Sequence, residues 1–153
     1  MSDLRDELYS LLVPLAGERL IVPRACVAEV IGYQTPVAQT GAPPWYAGTV
    51  AWSGRNVPVM CFEGALGQPS PSVSTRTRIV IFYANNAVLQ AGFFGLLTQG
   101  FPQLVRVNAD VVRPDPTRSF EEHSPVICQV RMVNETPLIP DLQRLEQMIA
   151  GAG

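Results

Sequence analysis

The sequence predicts an all-β protein, either a single barrel or a pair of barrels. Short strand-prone runs recur along the 153 residues, and turn signals separate them about every 8–12 residues. No apolar run approaches the roughly 20 residues that span a bilayer. This length suits one domain, residues 1–153, with a sizeable core or with two small lobes that share one.

The N-terminal half begins with two strand candidates, residues 8–15 and 19–22. Pro14 lies within the first, which suits an edge strand or a bulge. The second ends at Pro23.

A short helix is predicted near residues 24–30. Pro23 suits the first position of a helix, and Gly32 follows as a stop signal. Val27, Val30 and Ile31 fall at helical spacing on one face.

Residues 48–62 predict a β-hairpin. Strand-prone Thr49–Trp52 is followed by a turn at Ser53–Asn56, and residues 57–62 are again apolar. This segment has no catalytic group with a partner, so it favours a binding module.

The remaining elements follow from the same signals. We expect further strands at residues 77–84, 88–97, 102–107, 126–132 and 136–139, one helical turn at 63–66, and a two-residue turn at Asn85–Asn86. Pro- and Ser-rich composition predicts flexible loops near 68–76 and 113–125. Leu142, Leu145 and Ile149 form the apolar stripe of a C-terminal helix near 141–150.

Charge and composition argue against several classes of function. The net charge is −2 and only 16% of residues are charged, so there is no strong basic field for nucleic acid. A low-charge surface suits docking of another protein, although a large core would explain the same composition. The N-terminus, residues 1–7, is charged and unlike a signal peptide, so we expect a cytoplasmic protein without membrane insertion.

Catalytic and metal-binding motifs are not apparent. There is no P-loop, dinucleotide fingerprint or His-Glu-x-x-His. Cys26, Cys61 and Cys128 are widely spaced in apolar runs, which is typical of small buried residues. His123 follows two glutamates in a Pro-bounded loop, where a solvated surface role is favoured over general-base catalysis. We therefore expect no enzyme activity, cofactor or metal.

Four blocks in order along residues 11–148 resemble the CheW-like domain of chemotaxis adaptors. They are 15–30 (Leu-x-Gly-Glu-Arg-Leu-Ile-Val-Pro, then Val-Ala-Glu-Val), 41–50 (Gly-Ala-Pro-Pro-Trp-Tyr-x-Gly-x-Val), 54–80 (Gly-Arg-x-Val-Pro-Val, Leu-Gly, Thr-Arg-Ile-Val) and 126–145. Residues 11–15 and 93–100 are most similar to ChpC-type adaptors of the chemosensory system that governs type IV pili and twitching motility.

The resemblance implies two small five-stranded SH3/OB-like β-barrels that share a hydrophobic seam. It also implies a non-enzymatic adaptor between the cytoplasmic tip of methyl-accepting chemoreceptors and a CheA-like histidine kinase. The alternative is a nucleic-acid-binding β-barrel module, which rests on fold analogy alone. An enzyme ranks third.

The chain departs from the family at the hairpin turn. The family commonly has Arg before the turn glycine, paired with the glutamate that is Glu29 here, whereas this chain has Ser53. A buried carboxylate without a partner costs about 1–3 kcal/mol. We therefore expect either that Arg55 contacts Glu29 or that Glu29 is exposed to solvent.

Two further departures suggest either a divergent set of partners or an adaptor that modulates an array built by another adaptor. Cys61 stands where the family often has Asp, and Gly95–Thr98 replaces an acidic pattern.

Candidate docking residues are chosen from the types that dominate interface energy, Trp, Tyr and Arg, and from their neighbours. They are Glu29, Tyr33, Pro44, Trp45, Trp52, Arg55 and Asn56. Trp52 is weighed as core or interface, with core favoured, and Trp45 as interface. Phe93 and Phe94 are adjacent on a strand, so one should lie in the core and the other at the seam or a docking surface.

Overall fold

The computed structural model describes residues 8–152, and the charged segment 1–7 lies outside them. It contains eleven strands, one 3-10 turn at Arg24–Cys26 and two helices. The strands are β1 (Leu8–Pro14), β2 (Arg19–Pro23), β3 (Val27–Gly32), β4 (Tyr46–Trp52), β5 (Arg55–Met60), β6 (Arg78–Tyr83), β7 (Phe93–Thr98), β8 (Gln103–Val107), β9 (Arg113–Pro114), β10 (Val126–Arg131) and β11 (Leu138–Pro140). The helices are α1 (Phe62–Ala65) and α2 (Leu142–Ala152).

Two sheets form two barrel-like lobes, which confirms the predicted fold class. The first lobe has the strand order β8-β1-β2-β11-β10-β9 and the second β3-β6-β7-β5-β4. The first has six strands rather than five, because two residues of the predicted 113–125 loop, Arg113 and Pro114, pair with β10 as β9.

The predicted helix near residues 24–30 is wrong beyond its first turn. The 3-10 turn ends at Cys26, and Val27–Gly32 pairs with β6 as a strand. A β-bulge between Val27 and Glu29 inserts one extra residue. As a result Val27 and Val30, three positions apart, both pack against the same core. The spacing that suggested a helix belongs to a bulged strand.

A shared core lies between the two lobes. The first lobe contributes Leu11, Val13, Leu20 and Val22; the second contributes Val80, Phe82, Phe94 and Leu96; α2 contributes Leu145 and Ile149. Phe82 and Phe94 stack with their ring centroids 5.1 Å apart. This core is the predicted hydrophobic seam, and it joins the lobes into one unit.

Each lobe also has its own interior. Leu12, Ile21, Val107 and Val130 fill the first lobe, and Val50, Val57, Val59, Ile79 and Ile81 fill the second. Gly95 belongs to the second interior, since a Cβ there would lie 2.9 Å from Ile79 Cγ2 and 3.0 Å from Val59 Cγ2. Phe93 points to the same side as Gly95, whereas Phe94 points to the shared core, as strand alternation predicts.

The predicted C-terminal helix is confirmed, and Glu146 on it is hydrogen-bonded to the second lobe. Asp141 begins it, because its Oδ1 accepts a hydrogen bond from Arg144 N at 3.0 Å. Glu146 is buried, and its two oxygens accept from the backbone N–H groups of Asn85 (3.2 Å) and Asn86 (3.0 Å). The predicted two-residue turn at these asparagines is therefore wrong: they begin a longer loop, residues 84–92, anchored on the helix.

Candidate protein-docking surface

Five side chains gather at one end of the second lobe, one from each of its strands. We call this set the mouth cluster: Glu29 on β3, Tyr83 on β6, Phe93 on β7, Arg55 on β5 and Trp52 on β4. Strand pairing fixes their positions, because Tyr83 is opposite Phe93 and Trp52 is opposite Arg55. Residues opposite each other in an antiparallel pair share a face of the sheet.

The tight hairpin turn between β4 and β5 sets part of this register. Ser53 has φ 49° and Gly54 has φ 72°. Two successive residues with positive φ define the type I′ turn, whose twist matches that of the flanking strands. The turn is thus two residues long, and Arg55, predicted within it, is the first residue of β5.

Phe93 is the centre of the aromatic contacts. Its ring meets Trp52 edge-on, with centroids 4.8 Å apart, and lies 5.6 Å from Tyr83. Trp52 and Phe93 are half-buried and pack against the interior of the second lobe, while Tyr83 is 45% exposed. The cluster therefore covers the lobe's core on one side and presents aromatic surface on the other. Trp52 contributes to both core and surface.

Glu29 is hydrogen-bonded to Trp52 and not to Arg55. Trp52 Nε1 donates to Glu29 Oε1 at 3.1 Å. β3 and β4 are the two outer strands of this sheet, so the bond links its edges. Glu29 is exposed to solvent, as the second of the two expectations has it. The expectation that Arg55 contacts it is wrong, because the Arg55 guanidinium extends to the 84–92 loop instead.

Arg55 is held by two contacts. Its Nη1 donates to the carbonyl oxygen of Ala91 at 2.9 Å, and its guanidinium carbon lies 5.4 Å from the centroid of the Phe93 ring. The second contact is a cation–π interaction, worth about 0.5–1 kcal/mol at an exposed site. The exposed Arg55 side chain thus packs on the Phe93 ring and is hydrogen-bonded to the backbone.

The other predicted site residues are not members of the mouth cluster, although Asn56 directly follows Arg55 on β5. Trp45 is half-buried against the shared core, with its ring 6.3 Å from that of Tyr46. Pro44 lines a cavity at the opposite end of the second lobe. Tyr33 is half-buried just after β3, and Asn56 is exposed on β5 opposite Ala51.

Sequence reasoning missed Tyr83. A signal was available, since alternation along β6 places Tyr83 on the face of Ile79 and Ile81 with its polar end at the strand terminus.

The opposite end of the second lobe is covered by the 68–77 loop, which has no regular secondary structure. A cavity of about 150 Å³ lies beneath it, lined by Pro44, Cys61, Thr77 and Leu97 among others. Burial raises the pKa of the Cys61 thiol, which donates to Glu63 Oε1 at 3.6 Å and accepts from Gly64 N at 3.5 Å. A neutral, buried thiol is a poor nucleophile.

Across residues 8–152, no three His, Cys, Asp or Glu side chains are grouped to hold a metal ion. No helix within that range is long and apolar enough to cross a membrane. His123 is exposed, and its carbonyl oxygen accepts a hydrogen bond from Arg144 Nε.

The two lobes and their shared core define a double-barrel β domain. A family model described as CheW-like domain matches residues 10–149. The chain therefore belongs to the CheW-like domain family, whose members are scaffold and adaptor domains of chemotaxis signalling.

Comparison with solved structures agrees on the fold. The scaffolding protein TtCheW from Thermoanaerobacter tengcongensis superimposes with a TM-score of 0.73 at 16% identity, covering 88% of each chain. No curated protein sequence matches the chain significantly.

Proposed function

We propose that this chain is a non-enzymatic adaptor that couples the cytoplasmic tip of chemoreceptors to a CheA-like histidine kinase. We further propose that it serves a pathway controlling type IV pili, a choice supported by the resemblance of residues 11–15 and 93–100 to ChpC-type adaptors. Family membership supports the adaptor role, and the mouth cluster supplies the surface.

One observation carries the docking assignment. The mouth cluster combines Trp, Tyr, Phe and Arg side chains at a lobe end, three of its members exposed and the other two half-buried. Trp, Tyr and Arg supply most of the binding energy in protein interfaces. The aromatic side chains bury large areas with few rotatable bonds, and arginine adds directional, charge-assisted hydrogen bonds. Each member of the cluster contacts another member or the backbone.

Co-sedimentation tests this proposal. The full chain would be mixed with a receptor-tip fragment and a CheA-like kinase from the same organism. We expect a complex with wild type, and at least about tenfold weaker association for Tyr83→Ala and Phe93→Ala. Phe101→Ala is the matched control, because Phe101 is 69% exposed and lies outside the mouth cluster.

Two results would contradict the proposal. One is failure of the wild-type chain to associate with either protein. The other is binding of single-stranded nucleic acid with a steep salt dependence, which would favour the alternative module. Thermal melts of each variant separate loss of binding from loss of folding.

A further inference from the structure

Arg55 differs from the arginines that form ion pairs within the chain. Arg19 pairs with Glu135 at 2.6 Å, Arg118 with Glu18 at 2.9 Å, and Arg131 with Asp115 at 3.3 Å. No carboxylate among residues 8–152 lies within ion-pair distance of Arg55. Its charge is therefore unpaired within the described part of the chain.

Arg55 nevertheless has two contacts within the lobe. Ala91 O accepts a hydrogen bond from one of its N–H groups, and the Phe93 ring lies against its guanidinium. A guanidinium has five N–H donors in a planar fork. Four of them find no acceptor among residues 8–152, and the side chain is exposed.

We infer that Arg55 binds a carboxylate of the protein partner. The partner segment that contacts the mouth cluster therefore carries an exposed Asp or Glu. This inference rests on the proposed function, because it specifies the chemistry of the docking partner. The adjoining aromatic side chains, Phe93 and Trp52, require apolar groups beside that carboxylate.

The geometry explains why a carboxylate is the preferred group. Arginine binds carboxylates with two parallel N–H···O bonds, which are charge-assisted and directional. Fixing the guanidinium beforehand reduces the entropy lost on binding. The Phe93 ring removes water from part of the guanidinium, and a seated partner would remove more, which strengthens the charge interaction.

Affinity measurements on full-length variants test the inference. The probes are the receptor-tip fragment and the CheA-like kinase, titrated separately at two salt concentrations. For the probe that binds the mouth cluster, we expect Arg55→Glu to weaken binding about 30-fold or more and Arg55→Lys by a smaller factor, because lysine keeps the charge without the fork. Arg76→Glu is the matched control: Arg76 is exposed in the 68–77 loop at the opposite end of the lobe, and its reversal should change affinity less than about twofold.

A scan of the partner locates the carboxylate. Each exposed Asp or Glu of the bound probe is changed to Ala, and the scan is repeated against Arg55→Gln. One substitution should weaken binding to wild type and have no further effect on Arg55→Gln. Changing that acid to Arg should partly restore binding to Arg55→Glu, which a merely structural role of Arg55 would not allow.

The outcomes separate the two proposals. If wild type binds a probe and Arg55→Glu binds equally well, or no carboxylate couples to Arg55, the inference is wrong and the adaptor function stands. If wild type binds neither probe, both fail. Circular dichroism melts confirm that Arg55→Glu and Arg55→Lys are folded, and Arg55→Lys keeps the test valid should the reversal unfold the lobe.

Discussion

Trp52 links the interior of the second lobe to its surface. Its ring packs against that interior and against Phe93, and its indole N–H bonds Glu29 on the far edge strand. In the family pattern an arginine is expected to satisfy this glutamate. Here the neutral indole N–H donates to it instead, and Arg55 contacts Ala91 and Phe93.

The Trp52–Glu29 hydrogen bond should be measurable as stability. Trp52→Phe keeps most of the aromatic packing but removes the indole donor. We expect it to lower the free energy of unfolding by about 1 kcal/mol more than Trp45→Phe, since a partly exposed bond to a carboxylate has that order of strength. Trp45 is a suitable control because its indole makes no side-chain hydrogen bond among the described residues. Urea denaturation of both variants gives the comparison, and equal losses would contradict the assignment.

The pairing of Glu29 could not be predicted from residue types alone. Arg55 is cationic and near in sequence to the missing family arginine, so charge favoured it. The contacts of Arg55 are instead made by Ala91 of the 84–92 loop and by Phe93, the first residue of β7. We predicted a two-residue turn there, and a turn of that length would not have placed Ala91 beside Arg55.

At the level of elements, one β-bulge accounts for the main error of sequence analysis. The bulge in β3 gives apolar residues a spacing of three, which also fits a helix. Strand propensity in Val27, Val30 and Ile31 and pairing with β6 decided in favour of the strand. By contrast, the β4–β5 hairpin and α2 were predictable, since their turn and capping residues are local signals.

The segment before β10 is anchored by Asp115, which gives a pH prediction. Oδ1 accepts from the Thr117 hydroxyl at 2.6 Å and backbone N at 3.1 Å, and Oδ2 accepts from Gln129 Nε2 at 3.0 Å. These hydrogen bonds lower the pKa of Asp115, and the bond from the Thr117 hydroxyl has the largest effect. Together with the nearby Arg131 guanidinium they bring the pKa to about 2. Because the pKa is lower in the folded state, the ionised carboxylate stabilises the fold above its unfolded pKa of 3.8, and this contribution is lost as the pH falls towards 2.

Asp115→Asn should therefore flatten the acid dependence of stability. The free energy of unfolding would be measured by urea denaturation at about pH 7, 4 and 2.5. Wild type should lose stability between pH 4 and pH 2.5 as Asp115 is protonated. Asp110→Asn is the control and should lose as much, because no hydrogen bond to the Asp110 carboxylate occurs among the described residues. An unchanged acid slope in Asp115→Asn would show that this anchor is not the titrating group.

Across the whole molecule, the two ends of the second lobe differ in what covers them. One end is covered by the 68–77 loop above Cys61, and the other carries the mouth cluster. Ordered sequence blocks were enough to predict two lobes and a seam. They could not show that side chains from five strands meet at one place, because that depends on sheet order and register.

The mouth cluster is the proposed docking surface of this adaptor domain. The most direct measurement is backbone amide chemical-shift mapping of the ¹⁵N-labelled chain during titration with the unlabelled receptor tip and kinase. We predict that, for at least one of the two proteins, the largest shifts occur at Glu29, Trp52, Arg55, Tyr83 and Phe93, with little change at residues 68–77. Saturable shifts confined to residues 68–77 or to the first lobe, or no shifts with either protein, would contradict it.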